Sequence, residues 1–151
     1  MLTYHPIVSP TPAELVELLN APAVRKYLID HPIFTESTAK EWAESKSEEN
    51  DSPGCMIRAI RQGQALAGWC GIQKHDGHFE LAIVLSPAYW RHGAEVMREV
   101  RSWASDIGHD HLMIHLPQSR PQQRAIARIL GDPIVQTEIA GEPFNTYRIE
   151  V

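Results

Sequence analysis

Hydrophobic residues recur along the chain with two different periods, and each period predicts one kind of secondary structure. Four segments repeat their apolar residues at steps of three and four, which is typical of helices that bury one face. They cover residues 12–20, 37–44, 94–107 and 119–130, and residues 24–28 fit one further helical turn. Short apolar or alternating segments, bounded by turn residues, predict strands. The predicted strands are residues 1–8, 55–60, 66–73, 80–85, 112–116, 134–139 and 147–151.

Local signals indicate where several of these elements begin and end. Residues 11–14 combine a capping Thr with a Pro and a Glu, which starts the first helix, and residues 37–38 supply a Ser or Thr cap for the second. The polar run at residues 45–54 predicts a surface loop. Asp76 and Gly77 predict a two-residue hairpin turn between the third and fourth strands.

The predicted order of elements is β-α-α-β-β-β-α-β-α-β-β. Hairpins make most neighbouring strands antiparallel, while the strand–helix–strand unit after residue 80 adds a crossover. We therefore expect an α/β (α+β) fold, with a mixed, mostly antiparallel central sheet of about seven strands flanked by about four helices. The length of 151 residues suits one domain over residues 1–151.

Composition and charge narrow the classes of partner. Hydrophobic residues at 43 % and charged residues at 22 % are ordinary for a globular protein. A net charge of −5 without a basic run gives no support for nucleic-acid binding. No apolar stretch approaches the roughly 20 residues that span a bilayer, so no membrane partner is expected. Cys55 and Cys70 lie in apolar runs and are predicted to be buried free thiols, which indicates a cytoplasmic location.

Five histidines fall into suggestive patterns, but they do not predict a metal site. His75 and His78 flank the predicted hairpin turn, where solvent is the simplest environment. His109, His111 and His115 share strand parity, and no Cys accompanies them. Zinc needs three or four ligands arranged around the ion. We therefore expect no metal.

Residues 80–96 carry the most informative chemical pattern of the chain. The apolar run 81–85 is ended by a Ser-Pro pair, and a polar loop that contains Arg91, His92 and Gly93 leads into the long helix. The free N–H groups and the positive dipole end of a helix form a site for an anion, usually a phosphate. Arg91 and His92 would add donors to such a site.

The same stretch resembles a known family. Residues 80–95 read E-L-A-I-V-L-S-P-A-Y-W-R-H-G-A-E. Without a gap this resembles E-I-G-Y-W-L-S-P-x-Y-W-G-K-G-x-A of the GNAT superfamily of N-acetyltransferases, in the branch that modifies ribosomal-protein N-termini and small amines. The order of elements is also similar from end to end.

This resemblance implies the GNAT (acyl-CoA N-acyltransferase) fold and an acyl-CoA-dependent N-acyltransferase. An acetyl group would move from acetyl-CoA to a primary amine by direct attack in a ternary complex. The amine would belong to a protein N-terminus, a lysine or a small molecule. Edge strands near the C-terminus also allow a homodimer.

The resemblance further implies a role for individual residues. In the family the fourth and fifth strands part, and backbone groups of Ile83, Val84 and Leu85 would bind the pantetheine arm in the gap. A backbone N–H near Val84 or Leu85 would polarise the thioester carbonyl. The residues implied in binding the phosphates of acetyl-CoA are Arg91, His92, Gly93, Ala94, Glu95, Val96, Arg120 and Arg124.

Glu80 is the candidate catalytic residue. It lies at the start of the strand that would flank the thioester, where family members often place a carboxylate that deprotonates the amine through water. The alternative interpretation is a carboxylate at a strand edge, either solvated or paired with Arg58 or Arg61.

Three departures from the family pattern keep a second hypothesis open. Trp90 and Glu95 stand at the two ends of the phosphate-loop motif, where the family has Arg or Gln and Gly or Ala. Ala127 stands where the family often has a Tyr that acts as general acid. Ala127 and Glu95 favour a catalytically silent GNAT-fold binding or structural module. The intact Leu-Ser-Pro-Ala-Tyr-Trp run and Gly93 favour the enzyme.

Overall fold

Seven strands and five α-helices form in the part of the chain that this computed structural model describes, residues 1–26, 31–119 and 124–151. The strands are β1 (Leu2–Pro6), β2 (Met56–Gln62), β3 (Ala65–His75), β4 (His78–Leu85), β5 (His111–Pro117), β6 (Val135–Ile139) and β7 (Glu142–Glu150). The helices are α1 (Pro12–Asn20), α2 (Pro22–Arg25), α3 (Glu36–Asn50), α4 (Gly93–Ile107) and α5 (Arg124–Leu130). A 3-10 helix, Pro87–His92, leads directly into α4.

The strands form one sheet in the order β1-β2-β3-β4-β5-β7-β6. All neighbours are antiparallel except β4 and β5, which are parallel and are connected through the 3-10 helix and α4. A parallel pair needs such a crossover because the chain must return to the same end of the sheet. The predicted fold class, a mixed and mostly antiparallel sheet with flanking helices, is confirmed.

Helices pack on both faces of the sheet, and each face has its own hydrophobic core. On one face α4 buries Met97 against Leu112 of β5. On the other face α1 buries Leu18 against Ile57 of β2. Side chains alternate between the faces along each strand, so a residue's parity decides which of the two layers it meets.

The predicted surface loop at residues 45–54 is wrong in its first half. Helix α3 continues to Asn50, and its cap is Thr35, two or three residues earlier than predicted. The run that looked like a loop contains Lys and Glu, which are good helix formers. The Asn50 side chain also accepts hydrogen bonds from the N–H of Ile57 and from Arg58 Nη1, both at 2.7 Å, which attaches the end of the helix to β2.

Two connections are also more ordered than the sequence pattern indicated. The polar loop after the Ser-Pro pair is the 3-10 helix, which proline favours at its start. The last hairpin turns at Ala140 and Gly141, with φ of 52° and 81°, so β7 begins at Glu142 rather than at residue 147. Of the last predicted helix, 119–130, the described helical part is α5. The predicted extra turn at residues 24–28 overlaps α2, and its residues 27 and 28 lie outside the described residues.

Candidate active site

The sheet opens between β4 and β5. Only one residue pair, Glu80 with Met113, joins these two strands in the part of the chain that is described. Both strands continue past this pair, β4 to Leu85 and β5 to Pro117, without pairing again. The divergence leaves two facing strand edges whose backbone groups can accept an extended ligand between them.

The ladder with β3 decides which backbone groups of β4 face this gap. Ser86 N–H donates to the carbonyl of Ala67 at 2.9 Å, and alternate residues of an antiparallel strand bond to the same neighbour. Val84, two residues before Ser86, therefore directs its N–H and C=O towards β3. Ile83 and Leu85 direct theirs towards β5. The backbone groups predicted to bind pantetheine are thus divided, with Ile83 and Leu85 on the gap side and Val84 on the opposite side.

The facing edge of β5 is defined in the same way. Gln118 N–H donates to the carbonyl of Pro143 at 3.0 Å. The even-numbered residues of β5 therefore direct their backbone groups towards β7. His115 has the other parity and directs its backbone N–H and C=O into the gap. Pro117 also lies on this edge but has only a carbonyl to offer.

Glu80 lies at the vertex of the gap and is held there by hydrogen bonds. Its Oε1 accepts from Gln73 Nε2 at 2.8 Å, and Gln73 Oε1 in turn accepts from Lys46 Nζ of α3 at 2.8 Å. Only 18 % of the side chain is exposed. The carboxylate is therefore fixed in orientation at the point where the two strands part.

The alternative partners of Glu80 are engaged elsewhere. Arg58 donates to Asn50, and Arg61 forms two bonds to Glu14, at 2.8 and 3.0 Å. The carboxylate of Glu80 instead lies with its Oε2 3.5 Å from His115 Nε2. The interpretation of Glu80 as a strand-edge residue paired with Arg58 or Arg61 is wrong.

His115 is a site residue that the sequence pattern presented only as a possible metal ligand. Its Nδ1 lies 2.7 Å from the Thr146 hydroxyl, and Thr146 is only 2 % exposed. The position of His115 on β5, two residues from Met113, which pairs with Glu80, could have indicated that it lies near Glu80. Its contact with Thr146, however, depends on the register between β5 and β7. His115, Thr146 and Glu80 form a polar row across three strands on the face opposite α4.

The other histidines do not join this row. His109 Nε2 bonds to the carbonyl of Gly54, and His111 pairs with the exposed Asp110 beside it. Within residues 1–26, 31–119 and 124–151, no group of three or more His, Cys, Asp or Glu side chains could hold a metal ion.

The residues predicted to bind phosphates lie around the start of α4. Arg91 is exposed, while His92 caps the helix without a side-chain capping bond. The N–H of Gly93 donates to the carbonyl of Trp90 and closes the 3-10 helix. The side chains of Ala94 and Val96 point into the core, so only their backbone groups could meet a ligand.

Glu95 points away from the core, and its side chain is 52 % exposed. Its Oε2 lies 3.7 Å from His92 Nδ1, so a protonated His92 would offset its charge. The other ring nitrogen of His92 is buried and has no hydrogen-bond partner within the described residues. A buried imidazole nitrogen without a partner costs stability unless an ordered water or a ligand reaches it.

Gly93 permits close packing between two helices. A Cβ built on it would lie 2.8 Å from the Cδ1 of Ile126 on α5, so the absent side chain lets α5 approach the start of α4. Arg124 is the first residue of α5, whereas Arg120 lies outside the described residues. Ala127, which stands where the family often has a Tyr, is exposed.

Both thiols of the chain are buried and free, as predicted. Burial raises the pKa of Cys55 and of Cys70, and the nearby carboxylates of Glu49 and Glu99 act in the same direction. Neither thiol is therefore a nucleophile at neutral pH. The described residues include no helix long and apolar enough to cross a membrane.

Several solved structures of acetyltransferases share the fold of this chain. An acetyltransferase of the GNAT family from Bacillus anthracis is 15 % identical, with 99 % of this chain and 94 % of that chain covered and a TM-score of 0.76. The microcin C7 self-immunity acetyltransferase MccE, solved in complex with acetyl-CoA and AMP, is 15 % identical, with 99 % and 92 % covered and a TM-score of 0.75. A GCN5-related N-acetyltransferase from Brucella melitensis is 15 % identical, with 99 % and 75 % covered and a TM-score of 0.74.

At this level of identity the solved structures establish the fold alone. No curated protein matches the chain. A family model described as an acetyltransferase (GNAT) domain, however, matches residues 2–131, which is most of the chain. The chain belongs to the GNAT acetyltransferase family.

Proposed function

We propose that this protein is an N-acetyltransferase that moves the acetyl group of acetyl-CoA to a primary amine by direct attack in a ternary complex. The observation that carries the proposal is the divergence of β4 and β5 beyond the single pair of Glu80 with Met113. It offers two strand edges to an extended arm and a fixed carboxylate at their vertex. We further propose that residues 1–151 act as one domain in the cytoplasm.

The gap suits the pantetheine arm because such an arm carries amide groups that can bond like a strand. Ile83 and His115 would bond these amides from the two sides. When bound, acetyl-CoA supplies the acetyl group as an activated thioester. The Leu85 N–H, also directed into the gap, would polarise the thioester carbonyl as an oxyanion-hole donor does.

The start of α4 would hold the phosphates of the nucleotide. Its dipole, the exposed Arg91 and the buried, unpartnered nitrogen of His92 favour an anion there. Glu95 opposes an anion, but its outward direction and its position beside His92 reduce this effect. Arg120 and Arg124 remain predicted contacts to the same phosphates.

Glu80 would act as the base, or through a water as part of a base, for the attacking amine. Holding the amine and the thioester together converts a bimolecular reaction into a unimolecular one and supplies much of the rate. The acceptor would be a protein N-terminus, a lysine or a small amine, and a homodimer through the C-terminal edge strands is compatible with this site.

A catalytically silent GNAT-fold module is the competing proposal. Two observations favour it: Ala127 cannot protonate a thiolate, and the N–H of Gly93 is already bonded to Trp90. Such a module could bind the nucleotide but would not turn it over.

Two measurements on the intact chain separate these proposals. Unfolding is first followed with and without acetyl-CoA, and at about 100 times Kd a binder should gain roughly 2–3 kcal/mol. Release of CoA thiol is then measured with a peptide that has a free N-terminus, a lysine peptide with a blocked N-terminus and a small aliphatic amine. Thiol release that depends on one amine supports the enzyme; stabilisation without release supports the module.

The role of Glu80 is tested by Glu80→Gln with Glu44→Gln as the control, because Glu44 is exposed on α3 away from the site. Glu80→Gln should lower kcat by about 100-fold or more while Kd for acetyl-CoA stays within twofold. Unchanged turnover would remove Glu80 as the base.

A further inference from the structure

Glu80 and His115 come from different strands, and their polar atoms meet beside the gap. Gln73 pairs with Glu80 across β3 and β4, Glu80 with Met113 across β4 and β5, and His115 with Thr146 across β5 and β7. His115 lies two residues after Met113, so its side chain shares the face of Glu80. The row therefore results from the sheet register and the residue parity.

Each member of the row is oriented by the next. Lys46 fixes the amide of Gln73, and this amide fixes Oε1 of Glu80. At the other end the buried Thr146 hydroxyl fixes Nδ1 of His115 at 2.7 Å. The two remaining atoms, Oε2 of Glu80 and Nε2 of His115, face each other at 3.5 Å.

That separation is longer than a well-formed N–H···O hydrogen bond, so the two atoms can both bond to a third group. An imidazole that donates its Nδ1 proton to Thr146 has a lone pair on Nε2. A carboxylate and an imidazole lone pair that converge in this way match an ammonium group, which has only donors. His115 is also partly open, with 26 % of its side chain exposed.

We propose that His115 is a second catalytic residue, which binds the acceptor ammonium together with Glu80 and takes a proton from it. This inference rests on the proposed N-acetyltransferase function. Thr146 is then a positioning residue, because its hydroxyl can accept the Nδ1 proton and so holds the tautomer that leaves Nε2 free to accept. Glu80 then serves as base indirectly, in place of the route through water: it holds the ammonium and stabilises the imidazolium that forms on His115.

The acceptor nitrogen loses one proton to His115 Nε2, and the lone pair so exposed attacks the carbonyl carbon of the thioester. A C–N bond forms, the C–S bond breaks, and the sulfur leaves with the electron pair as a thiolate. The second proton lost by the nitrogen goes to the thiolate, and His115 returns its own proton to solvent.

The test compares His115→Gln, His115→Ala and the control His111→Gln on the full chain. His111 lies on the same strand and face but pairs with Asp110 at the surface. His115→Gln should lower kcat by about 100-fold, with Kd for acetyl-CoA within twofold, whereas His111→Gln keeps wild-type kinetics. The dependence of kcat/KM on pH should lose its acidic limb in His115→Gln, and added imidazole should restore about tenfold in His115→Ala.

Other charged groups near His115 also affect how kcat/KM depends on pH. The other charged or titratable side chains on this face of neighbouring elements include His78, Lys46, His111 and Arg148. A Glu80→Gln profile measured in parallel separates loss of the carboxylate from loss of the imidazole.

Four outcomes of these measurements decide between a catalytic and a structural role of His115. Loss of kcat together with loss of the acidic limb and rescue by imidazole supports the proposal. A His115→Gln enzyme within threefold of wild type overturns it, and so does a loss of kcat with an unchanged pH profile and no rescue, which indicates a structural role. If the wild-type chain binds acetyl-CoA but releases no thiol with any amine, the proposed function itself fails and His115 has no catalytic role.

Discussion

Trp90 donates its indole N–H to the carbonyl oxygen of Leu85 at 2.9 Å, and this bond ties the 3-10 helix to the end of β4. The carbonyl it occupies lies on the gap side of β4. Trp90→Phe removes the indole N–H and leaves the partly buried carbonyl of Leu85 without this hydrogen bond. We therefore expect the free energy of unfolding to fall by about 1 kcal/mol. The affinity for acetyl-CoA should fall as well, because the start of α4 loses its attachment. Urea unfolding and calorimetric titration measure the two effects.

Trp103→Phe is the matched control for this change. The indole of Trp103 donates to Glu99 Oε1 at 3.2 Å on the surface of α4. Its loss should cost less stability and leave acetyl-CoA affinity unchanged. Equal effects of the two substitutions would mean that the bond to Leu85 has no special importance.

Glu95 should affect binding and stability in opposite directions. Its carboxylate lies in the first turn of α4, where negative charge stabilises the helix dipole but repels a bound anion. Glu95→Gln should therefore tighten acetyl-CoA binding by about two- to threefold at low salt and lower stability by about 0.5 kcal/mol. Roughly 0.5 M salt should abolish the difference in affinity, because it screens exposed charges.

Glu99→Gln is the control for Glu95, since Glu99 is exposed one turn further along α4. Dipole effects fall off within the first turn, so this variant should bind acetyl-CoA like the wild type. Weaker binding by Glu95→Gln would show that the carboxylate supports the site, contrary to this prediction.

The pair of Glu14 and Arg61 should make stability depend on pH in the acid range. Hydrogen bonds from Arg61 are the largest cause that lowers the pKa of Glu14, from 4.5 to about 2. A carboxyl with a lowered pKa stabilises the fold above its unfolded pKa, and this stability is lost as the pH falls towards about 2. Glu14→Gln should lower the free energy of unfolding by about 1 kcal/mol at neutral pH, a modest amount because the pair is partly exposed. This difference from the wild type should vanish as the pH approaches about 2.

Glu14 has a second role, because its side chain accepts a hydrogen bond from the N–H of Thr11 in the capping box of α1. The substitution by Gln keeps an oxygen that can accept this bond. Glu17→Gln, on the exposed face of the same helix, is the control and should change stability little. The measurement is urea unfolding at several pH values between about 2 and 7. A cost of Glu14→Gln that stays constant over that range would contradict the assignment.

Neither cysteine should react in the folded protein. Cys55 and Cys70 are buried, and burial raises the pKa of both thiols. An aromatic disulfide reagent at about pH 8 should titrate no thiol in native buffer, since the thiolate is the reactive form. It should titrate both cysteines after unfolding in guanidinium. A thiol that reacts quickly in the native protein would contradict the burial and would also disturb the thiol-release assay.

The fold was predictable because local patterns agree with the final architecture. The hairpin at Asp76 and Gly77, the apolar run in β4 and the periodicity of α4 each depend on neighbours in sequence. The extension of α3 to Asn50 was missed because it depends on bonds between Asn50 and β2, far along the chain.

The candidate site was predictable only in part, for the same reason. Glu80 and the gap-facing strand follow from one continuous motif. His115 and Thr146 enter the site through the pairing of β5 with β7, which no local pattern reports. Nor could the sequence show that Val84 directs its backbone away from the gap, or that Glu95 points outward, because both depend on atomic geometry.

The single pair of Glu80 with Met113 divides the sheet into two half-sheets, one containing β1 to β4 and the other β5, β7 and β6. A pantetheine arm bonded to Ile83 and His115 would serve as the missing strand between them. The two halves share the core beneath α4, and acyl-CoA would add the hydrogen bonds that they do not make to each other. The substrate would act as a structural component of the protein during each cycle, and its departure as free CoA would return the sheet to two halves joined at one point.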